Sequence, residues 1–261
     1  MTICVSAIAT YSKESKEEEA IIFSTDHMIS VGDIGQFEKE IKKYKRINSK
    51  AVAMLSGQTL LFDKSIEGTT EINDFSKIKN KIYENMATLR KEIIRKEVHN
   101  LFSIDEDYVK ELLKNEIKNP FVQNIIQSIA EFNLKTSILL VGFDEKGEAQ
   151  ISEIDEKGFA DYRDIHFHTI GSGSVQALNT LLFQNHAKKH DLKTTIYNVY
   201  KAKRNAEVAN GVGRETEVLI LKNNCDLELL KEEQLKILAG IYEKELKFGV
   251  SHEDLNTLLP L

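Results

Sequence analysis

Met1-Thr2-Ile3-Cys4-Val5-Ser6-Ala7-Ile8-Ala9 opens the chain as a short apolar run rich in β-forming residues. Its reading decides the fold. Thr2 to Ala9 is expected to form a strand, and Thr10 to Glu19, with its YSKESKEEE stretch, a polar charged turn. Ala20 to Thr25 (AIIFST) is a second apolar run, so the two pair as a hairpin with a long solvated loop. Asp26 ends that second run.

Beyond it, Met28 to Val31 reads as a short extended piece, with turns at Gly32 and Gly35. Phe37 to Ile47 has no clear period, and Ala51 to Leu55 (AVAML) is a buried strand ended by Ser56-Gly57. From about Asn73 to Glu131 apolar residues recur at helical spacing, as at Ile78, Ile82, Met86 and Leu89. Two long helices are expected there, broken near Ser103-Ile104-Asp105, with Ser103 or Asp105 as cap of the second and Pro120 kinking or splitting it.

Strands return at Thr136 to Phe143 and Ala149 to Ile154, joined by the turn Asp144-Glu145-Lys146-Gly147. After a turn at Asp155 to Gly158, Ile165 to Ile170 reads as a strand that ends in Gly171-Ser172-Gly173-Ser174. A helix with Leu178, Leu181 and Leu182 on one face follows, then a helix over Lys193 to Ala209, a strand over Glu217 to Leu221, and a helix from Leu227 to about Lys247. Strands and helices cluster instead of alternating, which predicts an α+β fold with antiparallel sheets.

Composition narrows the class. The chain has 261 residues, 41% apolar and 29% charged, as in an ordinary globular protein. A net charge of −6 argues against a general nucleic-acid binder. No apolar run reaches the roughly 18 residues that span a bilayer, and the first residues lack the basic region of a signal peptide. Cys4 and Cys225 make no disulfide framework, so a cytoplasmic setting is expected. The length fits one large domain or two small ones; only Pro120 and Pro260 occur, no proline-rich linker divides the chain, and one domain over 1–261 is expected.

Several local features stand in a telling order: Thr2 directly after Met1 at the head of a strand, Asp26 ending the next strand, a lysine within Lys42-Lys43-Tyr44-Lys45 before AVAMLSG, and Ile170-Gly171-Ser172-Gly173-Ser174 before a helix. In this order the chain resembles the β-type proteasome subunits of the N-terminal-nucleophile hydrolase superfamily. It is most similar to the bacterial proteasome-related proteins that begin Met-Thr-x-Cys and carry a late Ala-Glu…Gly-Val-Gly segment, here Ala206-Glu207-Val208-Ala209-Asn210-Gly211-Val212-Gly213. The resemblance covers residues 1 to about 58 and 136 to about 221.

What it implies is specific. The fold would be a four-layer αββα sandwich of two antiparallel sheets flanked by helices. Thr2 falls on the family's nucleophile, Asp26 on its strand-ending aspartate and Ser172 on the serine near the nucleophile's amine. The spacing to Gly57, the oxyanion donor, prefers Lys43 over Lys42 or Lys45. Glu207 and Asn210 stand where the family usually has Asp and Ser, as supporting residues that depart from the pattern. Leu55 lies where the family shapes its substrate pocket. The family also implies a ring or other homo-oligomer and a peptide or amide substrate. It requires no cofactor and leaves an ATPase partner unspecified.

The chemistry suits these residue types. A threonine hydroxyl needs a base, and a free α-amine with a pKa of about 7.7–8.0 can be that base at neutral pH. Removal of Met1 is therefore a precondition. Lys43 would lower the pKa of the amine by repulsion and stabilise an alkoxide, and Asp26 would hold the lysine. The implied reaction is amide hydrolysis through an acyl ester on Thr2. The rival expectations are a catalytically silent scaffold subunit, suggested by Glu207 and Asn210, and a small-molecule amidase. Cys4, inside the chain, has no amine of its own to use. His166 with His168 on one strand face, and His186 with His190 on one helix, form pairs without a third ligand, so no metal is assigned.

Overall fold

A computed structural model describes residues 2–13, 16–31, 35–39, 41–99, 105–114, 120–224 and 226–247. Its strands are β1 (Ile3–Lys13), β2 (Lys16–Asp26), β3 (Met28–Val31), β4 (Gly35–Glu38), β5 (Tyr44–Arg46), β6 (Ala51–Ser56), β7 (Ser137–Phe143), β8 (Ala149–Ile154), β9 (Phe159–Asp161), β10 (Phe167–Gly171), β11 (Thr216–Lys222) and β12 (Leu227–Leu229). The helices are α1 (Phe62–Ser65), α2 (Phe75–Ile94), α3 (Glu106–Lys114), α4 (Pro120–Glu131), α5 (Ser174–Phe183), α6 (Leu192–Ala206) and α7 (Glu232–Lys247).

Two antiparallel sheets, ordered β10-β1-β2-β11-β12 and β5-β6-β7-β8-β9, carry the core, beside a small β3-β4 hairpin. The period-two alternation of β1 explains how they stack. Ile3, Val5, Ala7 and Ala9 face one way and pack with Ala177 and Leu181 of α5 and Val199 and Ala202 of α6. Cys4 and Ile8 face the other way and pack between the sheets with Val52 and Met54 of β6 and Leu139 and Val141 of β7. The far face of the second sheet, with Ala53, Leu55 and Leu140, packs on Ile78, Ile82 and Met86 of α2. The result is an α+β sandwich of helices, sheet, sheet and helices. Both faces of each central strand are buried, which is why the strands read as continuous apolar runs and not as alternating ones.

Several boundaries differ from the sequence reading. Thr10 to Glu19 is no simple turn, because β1 and β2 stay paired out to Lys13 and Lys16. The ladder is completed by backbone bonds and by Tyr11 Oη donating to Glu18 Oε2 at 2.6 Å. The expected C-terminal helix over 227–247 begins only at Glu232, since Leu227–Leu229 forms β12 along β11. The strand expected from Ile165 begins at Phe167. Residues Arg163–Ile165 make a single 3-10 turn closed by His166 in the left-handed conformation.

Among the described residues the helical segment holds α2, which runs on into a π-helical turn at Arg95–His99, then α3 and α4. Pro120 opens α4, where its missing amide costs nothing. The Tyr108 amide donates to Asp105 Oδ1 at 2.7 Å, making Asp105 the cap of α3. Ser103, Gly32 and Cys225 lie outside the described residues.

Candidate active site

Antiparallel pairing brings distant chain segments to one rim. The start of β1 lies beside the end of β2, with Cys4 opposite Thr25, and beside the end of β10, with Ile3 opposite Gly171. The start of β11 joins them, Thr216 facing Asp26. The second sheet adds the residues flanking β5 and β6, and the Leu55 amide donates to the Lys43 carbonyl at 2.9 Å. Thr2, Asp26, Lys43, Gly57 and Ser172 all occupy strand ends on this rim.

At its centre are three nearly inaccessible polar side chains, Thr2 at 2%, Asp26 at 0% and Lys43 at 3% exposure. Lys43 Nζ donates to Thr2 Oγ1 at 2.5 Å and to Asp26 Oδ1 at 2.7 Å. Thr2 Oγ1 donates in turn to Asp26 Oδ1. Asp26 Oδ1 also accepts from the Ile3 amide at 3.2 Å, and Oδ2 accepts from the Met28 amide at 3.3 Å and the Gly213 amide at 2.8 Å. A buried carboxylate is tolerated only with such partners. The ammonium is thereby aimed at the threonine oxygen, a placement that can stabilise negative charge on it.

Ser172 Oγ donates to the Thr2 carbonyl at 3.3 Å. It is not the cap of the following helix: α5 starts at Ser174, Gly173 takes the cap position, and no side chain caps it. Gly57 has φ +109° and lines a recess with Thr2, Met28, Ile29, Lys43, Leu55 and Thr59. Only glycine readily adopts that backbone conformation, and a Cβ there would meet the Lys135 carbonyl at 2.2 Å. Leu55 lines the recess while its side chain is 1% exposed and packed in the α2-facing core. Its main task is packing, with a margin facing the recess.

Glu207 is not turned toward the threonine. Its Oε1 pairs with Lys203 Nζ at 2.7 Å and Arg204 Nη1 at 3.2 Å. Asn210 is exposed in the turn after α6. Lys203, which the sequence reading missed, is fully buried and donates also to the carbonyls of Gly213 and Arg214 at 2.8 and 2.9 Å. A lysine on a Lys- and Arg-rich helix carries no burial signal of its own. Its position four residues before Glu207 was the one available hint.

Burial pushes the Cys4 thiol far up, Lys43 partly opposing and Asp26 adding, so Cys4 is a packed core residue with no thiolate to offer. The histidine pairs also resolve differently. His168 lies beside Glu153 at 2.8 Å and stacks on Tyr162, while His166 sits outside the strand. His186 and His190 lie in the turn between α5 and α6, not on a helix. Among the described residues no group of His, Cys, Asp or Glu is placed to hold a metal ion, and no helix is long and apolar enough to cross a membrane.

No family model and no curated protein sequence matches the chain. Solved structures do. An Anbu mutant from Hyphomicrobium sp. strain MC1 superposes with a TM-score of 0.62 at 12% identity, over 95% of each chain. Anbu from Yersinia bercovieri, described as an ancestral beta-subunit, superposes with a TM-score of 0.61 at 12% identity, over 94% of each chain. The chain therefore has a proteasome β-subunit-like fold.

Proposed function

We propose that the chain is a threonine-type N-terminal-nucleophile hydrolase of the bacterial proteasome-related kind, cleaving peptide or other amide bonds through an acyl ester on Thr2 once Met1 has been removed. One observation carries the reading: Lys43 Nζ bonds both Thr2 Oγ1 and Asp26 Oδ1 in a nearly closed site. Freed of Met1, the Thr2 amine lies by covalent geometry within about 3 Å of its own hydroxyl, within reach of its proton directly or through one water. Lys43 stabilises the alkoxide and Asp26 fixes Lys43. Attack on the amide carbonyl gives a tetrahedral oxyanion for which the Gly57 amide is the donor, and its collapse expels the amine. The freed α-amine then activates the water that releases the acid. The site residues supply a base, a cation and donors, and the reaction as written requires no cofactor.

Exposed Leu182 and Phe183 on α5 and Ile237 and Ile241 on α7 offer apolar area that self-association into a ring or other homo-oligomer would cover. A second reading, a silent proteasome-like scaffold, is favoured by Glu207, whose carboxylate is engaged by Lys203 and leaves the threonine amine unsupported on that side. Intact mass and a β-lactone probe separate the two. Loss of Met1 with one adduct on Thr2, absent in Thr2→Ala, supports the hydrolase. Quantitative retention of Met1 removes the base and leaves the scaffold. Labelled protein that turns over a small amide but cleaves no member of a peptide library redirects the substrate to small molecules.

A further inference from the structure

The site's carboxylate is held from behind by a part of the molecule that touches no reacting atom. Asp26 Oδ2, the oxygen not bonded to Lys43, accepts from the Gly213 amide at 2.8 Å. That amide precedes β11, which starts at Thr216, and the Glu215 amide just beyond it donates to Glu38 Oε1 at 2.9 Å. Lys203 fixes the two peptides that directly follow the Gly213 amide. From the last turn of α6 its ammonium donates to the carbonyls of Gly213 and Arg214, and its third bond goes to Glu207 Oε1. An ammonium has three donors, and all three are used.

Lys203 is fully buried, and so costly a placement is tolerated only because every proton is bonded and Glu207 neutralises the charge. Burial pulls its pKa down, and Glu207 opposes that pull. A helix residue with no packing need for a charge has thus been placed to grip two consecutive carbonyls behind the site.

We propose that the Lys203–Glu207 pair is the positioning element of this site: it locks the 213–214 peptides so that the Gly213 amide sets the orientation of Asp26, and through Asp26 that of Lys43 and Thr2. This deepens the hydrolase reading and rests on it for its effect on rate, though the grip itself is independent of it. Glu207 then answers to Lys203 rather than to the threonine amine, so its presence in place of an aspartate is a change of partner.

The test compares wild type, Lys203→Met and Glu207→Gln in the full chain, with two readouts. Hydrogen–deuterium exchange of the peptide covering residues 211–216 reports the grip. β-Lactone labelling of Thr2 reports the site, resolved into probe affinity and maximal labelling rate. Both variants are expected to exchange faster at 211–216 while β1 peptides keep their protection. The maximal labelling rate is expected to fall about tenfold to a hundredfold, with probe affinity unchanged, as for a misplaced reacting group.

Unchanged exchange at 211–216 in both variants overturns the proposal, as does unchanged labelling despite faster exchange. Should Lys203→Met fail to fold, Glu207→Gln, which leaves the buried ammonium without its counter-charge and so weakens its hold on the two carbonyls, is judged by the same two readouts. Absence of labelling in wild type counts against the hydrolase reading alone, and the exchange arm then decides whether the grip exists.

Discussion

Gly171 and Thr2 are packed so closely that a Cβ on Gly171 would lie 2.2 Å from the Thr2 carbonyl oxygen. Gly171 also has φ +110°, a backbone conformation that side chains disfavour. The end of β10 is thus pressed against the residue that heads β1. Gly171→Ala is expected to destabilise the fold by roughly 1–3 kcal/mol from strain and overpacking. Because relief must move Thr2, probe labelling should fall as well. Urea unfolding and labelling rate, measured together, check it; an alanine variant of unaltered stability would show that the strand ends are not in contact.

Removing Lys43 leaves Asp26 as a buried carboxylate without its cation. Lys43→Met is expected to cost about 3–5 kcal/mol in stability and to abolish labelling of Thr2. Adding Asp26→Asn should restore much of the stability and none of the labelling, because the uncompensated charge is gone but the ammonium is still missing. Chemical denaturation of both variants separates the two effects.

Cys4 is expected to resist alkylation in the native protein, since its thiol is buried and held neutral. Brief treatment with iodoacetamide at neutral pH, followed by peptide mass analysis, should leave the Cys4 peptide unmodified until denaturant is added. Rapid native labelling would place β1 at the surface.

His186 should make stability depend on acid. Burial chiefly lowers its pKa from 6.5 to about 4, against the opposing bond to the Ile8 carbonyl. The unfolded chain therefore binds the proton more readily. Stability is intact above pH 6.5 and declines as the pH falls from 6.5 toward 4. The loss is on the order of 3 kcal/mol when complete, below pH 4. His186→Gln, measured by urea unfolding across that range, should flatten the decline; an identical slope would assign it to other groups.

Much of the fold could be read from the sequence. The apolar runs of β1, β2, β6 and β7 announce strands because both faces of each are buried, and the Asp144 to Gly147 turn announces its own hairpin. The outer halves of β1 and β2 could not be read so. Their residues are polar, and what makes them strand is the ladder between them. The short strands β9 and β12 are edge strands whose few residues carry no period.

The sequence by itself determined the longer apolar strands, the α2 helix and the Asp144 to Gly147 turn, because propensity and turn preference act over a few neighbouring residues; the candidacy of Thr2, Asp26, Lys43, Gly57 and Ser172 came from the order of their motifs and the family resemblance it carries. The tertiary structure alone decided that these residues meet, as when Ser172 reaches Thr2 across 170 positions of chain. It also decided which lysine on α6 lies in the interior. Strand register and helix packing are collective, and the burial of Lys203 follows from the approach of α6 to the sheet and of the 213–214 peptides to its ammonium.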